Sequence, residues 1–156
     1  MISMEDIMEI KKKKKDSVEY SIEIPRHDKY FFLVRKFLEN ILGVEKILEK
    51  EKEQIIMAVN EACDKLIRTN MGKFKDVKIA IKAKISLKKI IITLSHKSKT
   101  MLAGYLKDYN EEKVVVESVK SRIGDYLIET NADEVSFTSS KKKGHQVKIV
   151  KYRGRE

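Results

Sequence analysis

Four stretches of the chain alternate strictly between apolar and polar positions, and two others repeat apolar residues at helical spacing. Val18, Tyr20, Ile22 and Ile24 alternate with polar neighbours and end at Pro25, which predicts a half-buried strand. Asp28 is placed to cap the next element. There Phe31, Val34, Phe37, Leu38, Ile41 and Leu42 form an amphipathic stripe, with Gly43 as its stop. A second helix is expected from about Leu48 to Asn70. Acidic at its start, it carries Ile55, Ile56, Val59, Ala62, Cys63, Leu66 and Ile67 on one face, and Gly72 ends it. Val77, Ile79, Ile81, Ala83 and Ile85 alternate again, and Ile90 to Leu94 is a denser strand. The short link Ser86 to Lys89 makes the pair a hairpin.

Residues 95–120 are polar with weak periodicity, which predicts a long loop holding at most a short helix. Tyr126 to Thr130 suggests another helix. Val135 and Phe137, then Val147 and Ile149, form a closing hairpin around Lys141-Lys142-Lys143-Gly144. Helices bunched between antiparallel strands predict an α+β fold, a two-layer sandwich rather than a doubly wound parallel sheet. Residues 1–16, ending in the run Lys11 to Lys15, read as a solvated lysine-rich tail before a single domain spanning 17–156.

Composition narrows the function classes. With 42% hydrophobic and 37% charged residues, the chain of 156 residues is expected to bury a real core. Its apolar runs are too short to span a bilayer, and the acids ahead of the lysines do not make a secretory signal. A single cysteine, Cys63, excludes an internal disulfide framework and fits a reducing cytoplasm. On an apolar helix face it reads as a small buried hydrophobe rather than a nucleophile. His27, His96 and His145 are too scattered for a structural zinc site, and neither a phosphate loop nor a G-x-S-x-G elbow occurs.

The net charge of +10 raises a nucleic-acid hypothesis, and three features argue against it as the main function. The excess is lysine rather than arginine, the lysines are dispersed along the chain, and Phe31, Phe32 and Phe37 fall on the helical stripe and so read as core.

The candidate chemistry centres on the second helix, Ala58-Val59-Asn60-Glu61-Ala62-Cys63-Asp64-Lys65-Leu66-Ile67-Arg68. With Ile24-Pro25 and Arg35 before it, and Ala132-Asp133-Glu134-Val135 and Gly144 after it, it resembles the anti-sigma-factor serine/threonine kinase family of the GHKL, or histidine-kinase-like, ATPase superfamily. The resemblance can be followed in register over residues 18–152. It implies a sandwich of the GHKL (Bergerat) type, with a mostly antiparallel sheet and helices on one face. In that family the helix reads roughly A-V-x-E-A-x-x-N-A-I, its Glu acting as general base and its Asn binding magnesium. The resemblance therefore puts Glu61 at the general-base position and Lys65 at the magnesium position.

The same register shows departures. An ammonium has no acceptor, so Lys65 cannot ligate a cation. The family's D-x-G-x-G-F, whose Asp accepts from the adenine amino group, falls on His96-Lys97-Ser98-Lys99-Thr100-Met101, so His96, Ser98 and Thr100 replace the acid and both glycines. A G-x-G after the lid falls on Arg122-Ile123-Gly124, keeping Gly124 alone. The final G-T falls on Gly144-His145 and loses the hydroxyl. Phosphoryl transfer depends on positioning and charge neutralisation, so these losses predict a degenerate site with no bound cofactor, where the family uses ATP with magnesium. Two readings of the cations stay open. Lys65, Lys97, Lys99 and Arg122 could hold a nucleotide or another anion without metal, or they could be solvent-facing lysines in a Lys-rich chain. Glu61 could likewise simply pair with Lys65 four positions on.

What the resemblance implies for function is an anti-sigma-factor-like regulator. Such a protein binds a sigma factor, a STAS-type anti-anti-sigma protein, or both, and commonly forms a homodimer. A family arginine that contacts the sigma factor matches Arg35, ten residues after Pro25. Its other reading is an ordinary exposed helix arginine. The alternatives are an active serine kinase with divergent motifs and a basic nucleic-acid-binding module.

Overall fold

The computed structural model describes residues 3–4, 17–69, 76–98, 115–117, 123–140 and 144–154. The elements run β1 (Val18–Pro25), a 3-10 turn (Asp28–Tyr30), α1 (Phe31–Val44), α2 (Glu49–Arg68), β2 (Lys78–Ile85), β3 (Lys89–Lys97), β4 (Val115–Glu117), α3 (Ile123–Thr130), β5 (Glu134–Ser140) and β6 (Gly144–Tyr152). The six strands form one sheet in the order β1-β2-β3-β6-β5-β4. Every pairing is antiparallel. The α+β class and the antiparallel sheet agree with the sequence. Tail residues other than Ser3 and Met4, together with Gly72, Lys99, Thr100, Arg122 and the Lys141–Lys143 turn, lie outside the described residues.

Alternation decides which face of the sheet is buried. Ile79, Ile81, Ala83 and Ile85 on β2, and Ile90, Ile92, Leu94 and His96 on β3, are all buried. Val147 and Ile149 of β6 continue the same face, as does Phe137 of β5. Over it lies α2, whose Ile55, Ala58, Val59, Ala62, Cys63 and Leu66 are almost wholly excluded from solvent. Each fully buried aliphatic side chain contributes roughly 1.5–3 kcal/mol, so this interface dominates the stability of the domain. On either side of α2 pack α1, through Val34, Leu38, Ile41 and Leu42, and α3, through Ile128. The opposite face of the sheet carries no helix among the described residues.

Local chemistry closes the elements. At the β2–β3 turn the Ser86 amide donates to the Lys89 carbonyl at 2.9 Å, and the Lys89 amide donates to Ser86 Oγ at 3.2 Å. Arg153 braces the turn from β6: its guanidinium donates to the Ser86 carbonyl at 2.9 Å and to the Glu45 carbonyl at 3.1 Å. Gly144, which opens β6, has φ of 66°, a conformation that glycine adopts without strain.

Five expectations are corrected. The turn before α1 is capped by His27, whose Nδ1 accepts from the Lys29 amide at 3.1 Å, not by Asp28, which lies inside the turn. Gly43 does not stop α1: the helix continues to Val44, and the left-handed residue beyond its end is Lys46, with φ of 55°. The Ile47 amide then donates to the Leu42 carbonyl at 3.0 Å, which satisfies a carbonyl at the helix end. The strand expected to end at Leu94 runs on to Lys97, because Ser95 pairs with Gln146 of β6 while His96 and Lys97 pair with Ile79 and Lys78 of β2. The expected loop over 95–120 also contains β4. Finally, Phe32 is 62% exposed, and Phe31 and Phe37 are only half-buried. The stripe's buried line is Val34, Leu38, Ile41 and Leu42, and Phe32 lies off it.

Two stability measurements follow from these positions. Leu38→Ala should lose about 2–5 kcal/mol in urea unfolding, whereas Phe32→Ala should change stability by no more than about 0.5 kcal/mol. Lys46→Gly should raise stability by about 0.5–1 kcal/mol, since it relieves a left-handed residue that bears a Cβ.

Candidate functional site

Four of the residues singled out by the sequence, Glu61, Lys65, His96 and His145, lie toward the C-terminal end of α2, above the ends of β3, β5 and β6. His96, on β3, is 3% exposed and is enclosed beneath the helix. Its Nδ1 accepts a hydrogen bond from the His145 backbone amide at 3.2 Å. That nitrogen therefore carries no proton, and the neutral ring bears its hydrogen on Nε2, which donates to the Leu66 carbonyl at 2.8 Å. Both ring nitrogens are thus consumed within the protein.

Leu66 lies in the last turn of α2, where carbonyls lack helical partners. Arg26 helps to satisfy this end. Its Nε donates to the Leu66 carbonyl at 3.4 Å, and its Nη2 donates to the Thr69 carbonyl. The His96 pKa is pushed down to about 4. Burial is the main cause, the charges of His145 and Arg26 act in the same direction, and the hydrogen bond to Leu66 opposes them.

His145, beside it on β6, meets the His96 ring edge-on, with ring centroids 5.6 Å apart. Its Nδ1 lies 2.7 Å from Ser139 Oγ on β5. Lys65 places its ammonium 4.7 Å from the centre of the Phe137 ring, also on β5, in cation–π geometry. Glu61 is half-buried on the same helix, one turn earlier. The i,i+4 ion pair of this segment joins Asp64 to Arg68 at 2.8 Å, and none joins Glu61 to Lys65 among the described residues.

Other expected positions lie elsewhere. Ser98 follows β3 and donates to Asp76 at 2.7 Å. Gly124 is in the first turn of α3. Arg35 is exposed on α1 and pairs with Glu39 at 3.2 Å, at the rim of a groove between α1 and α2 of about 500 Å³. Of the four cations considered for a cluster, Lys99 and Arg122 lie outside the described residues, and Lys65 and Lys97 are not brought together. Lys65 belongs to the helix layer, whereas Lys97 projects from the uncovered face of the sheet, where it pairs with Glu23. The parity of β3 puts His96 and Lys97 on opposite faces.

No family model matches the chain, and no curated protein matches it. Among the described residues no group of three or more His, Cys, Asp or Glu side chains is arranged to hold a metal ion. No helix there is long and apolar enough to cross a membrane. Cys63 is buried, and burial chiefly, with the Asp64 charge, raises its pKa to about 12, which keeps it a neutral thiol.

Sequence reasoning missed Arg26, Phe137 and Ser139. Arg26 and Phe137 act on partners distant in sequence, of which spacing along the chain carries no signal, whereas Ser139 faces His145 across the β5–β6 hairpin, a pairing that the register of that hairpin could have shown.

The buried imidazole makes stability pH-dependent. Unfolded, His96 protonates near 6.5; folded, it stays neutral down to about 4. Between these values the unfolded chain binds more protons, so stability falls as pH drops through 6.5 toward 4. Urea unfolding of the wild type against His96→Gln should show a shallower loss between pH 6.5 and 5 in the variant. Equal slopes would remove this role.

Proposed function

We propose that the chain is an anti-sigma-factor-like regulatory protein built on a GHKL-type sandwich. It binds a sigma factor, a STAS anti-anti-sigma protein, or both, with ATP binding lost or weakened. The observation that carries this reading is the hydrogen bonding of His96. At the position aligned with the adenine-binding acid stands a buried neutral imidazole, and both its nitrogens are spent on Leu66 and His145. A nucleotide base could claim that position only by breaking those bonds, each worth about 0.5–1.5 kcal/mol and more if a buried partner is orphaned.

The register over residues 18–152 supports the family side of the proposal. Pro25 ends β1, Arg35 lies on α1, Glu61 and Lys65 share α2, and Gly144 opens β6. A surface that binds protein can outlast a dead catalytic site, because the fold alone maintains it. Homodimerisation and a cytoplasmic location belong to the same proposal. So does the lack of strong kinase activity: Glu61 keeps the place of a general base, but Lys65 cannot supply the metal contact it would need.

Calorimetry with ATP, with and without magnesium, tests the loss of nucleotide binding. The expected result is no magnesium-dependent binding, and saturable binding in the micromolar range would restore the active-kinase reading. Affinity purification from the native cell with mass spectrometry tests the partner. The intact chain should recover a sigma factor or a STAS protein, and Arg35→Glu should weaken that capture by about 30-fold or more. Recovery of neither protein counts against the proposal.

A further inference from the structure

The dispersal of lysines along the chain does not survive folding. Strand parity gathers Lys78, Lys82, Lys84, Lys89, Lys97 and Lys148 onto one face of the sheet, the face that no helix covers among the described residues. Among the described residues the acids on that face are Glu19, Glu23 and Glu134, and all three are engaged. Glu19 pairs with Lys82 at 3.4 Å, Glu23 pairs with Lys97, and Glu134 accepts from the Tyr152 hydroxyl at 2.7 Å. They also lie toward the sides of the face, on β1 and at the start of β5, which leaves its centre without a carboxylate.

The centre is built from small donors in cross-strand rows. Ser21, Lys82, Thr93, Lys148 and Ser136 are successive register partners across five strands. The next row runs Ala80, Ser95, Gln146 and Thr138. Lys82 and Lys148 both flank Thr93, so their backbones stand roughly 10 Å apart, two strand spacings. A shallow concavity of about 560 Å³ lies here, lined by Ser21, Lys82, Thr93, Ser95, Lys97 and Gln146 among others. The groove between α1 and α2 is a contrast: there Glu39, Glu49 and Glu53 outnumber Arg35 and Lys52.

We propose that this uncovered sheet face binds the phosphodiester backbone of a nucleic acid. Lysine, serine, threonine and glutamine side chains are usual donors to phosphate oxygens, and the rows supply all four. An extended linear polyanion fits rows that cross five strands. A membrane surface fits less well, because the large aliphatic side chains of β3 and β6 on this face, the paired Ile91 and Val150, are half-buried and 6% exposed respectively, and offer no projecting apolar wedge. Base stacking has one candidate, Tyr152, 49% exposed at the margin. Binding is therefore set by backbone charge and is indifferent to sequence.

The test is fluorescence anisotropy of the full chain with a labelled oligonucleotide of about 20 nucleotides, single-stranded and duplex, between about 50 and 200 mM salt. The expected result is binding that weakens steeply with salt and falls by about tenfold or more in Lys82→Glu/Lys148→Glu. The exposed helix-layer variant Lys36→Glu/Lys50→Glu should stay within about threefold of wild type, and so should the tail variant Lys12→Ser/Lys13→Ser/Lys14→Ser. Circular dichroism checks that each variant is folded. No salt-dependent binding, equal loss in the face and helix-layer variants, or loss confined to the tail variant would overturn the proposal.

Discussion

Everything in this domain depends on the packing of α2 against one face of the antiparallel sheet. The helix brings an almost continuous line from Ile55 to Leu66, and β2, β3 and β6 answer it with isoleucine, leucine, valine and alanine at alternate positions. Because strand side chains alternate with period two, burying one set forces the other outward. A one-residue slip of β3 would carry Ile90, Ile92 and Leu94 to solvent and Lys89, Thr93 and Lys97 into the core, so register is fixed by the cost of burying charge. The same constraint puts His96 inside and the lysine rows outside.

That constraint explains what could be read from the sequence. Strands β1, β2 and β6 were legible because one buried face writes a two-residue period, and α2 because its stripe is long and interrupted only by polar residues on its outer side. The extension of β3 was not legible. Ser95, His96 and Lys97 look like loop residues, and only their partners on β2 and β6 make them a strand. Phe32 misled for the opposite reason. It sits beside the apolar stripe of α1, but the sheet and α2 cover only the line through Val34, Leu38 and Ile41, and hydrophobicity alone does not say how wide the covered sector is. The end of α1 was misplaced because glycine is the usual left-handed residue after a helix, and here the geometry falls three residues later on Lys46.

At the candidate site, residue types were legible and their partners were not. Lys65 could be seen to be unable to bind magnesium, since that follows from the ammonium itself. That its charge would settle against Phe137 could not be seen, because β5 lies some seventy residues further on. Likewise the sequence showed a histidine at position 96, but not whether it would face a pocket or the core. The structure answers this through hydrogen bonding, with the His145 amide defining the tautomer and the Leu66 carbonyl receiving the remaining proton.

His96 also decides what this end of the helix does. The last carbonyls of a helix carry partial negative charge, and a carboxylate buried beside them would be repelled. A neutral imidazole with its N–H aimed at Leu66 is attracted instead, and Arg26 donates to the same carbonyl. The position has thus become a clamp between α2, β3 and β6, stable only while the ring stays uncharged. Protonating it would place a second donor on Nδ1 against the His145 amide, so the neutral state is held by geometry as well as by burial. A group fixed in this way contributes to the fold continuously, whereas a ligand acceptor must stay unsatisfied until its ligand arrives. His96 cannot do both, and its two hydrogen bonds commit it to structure.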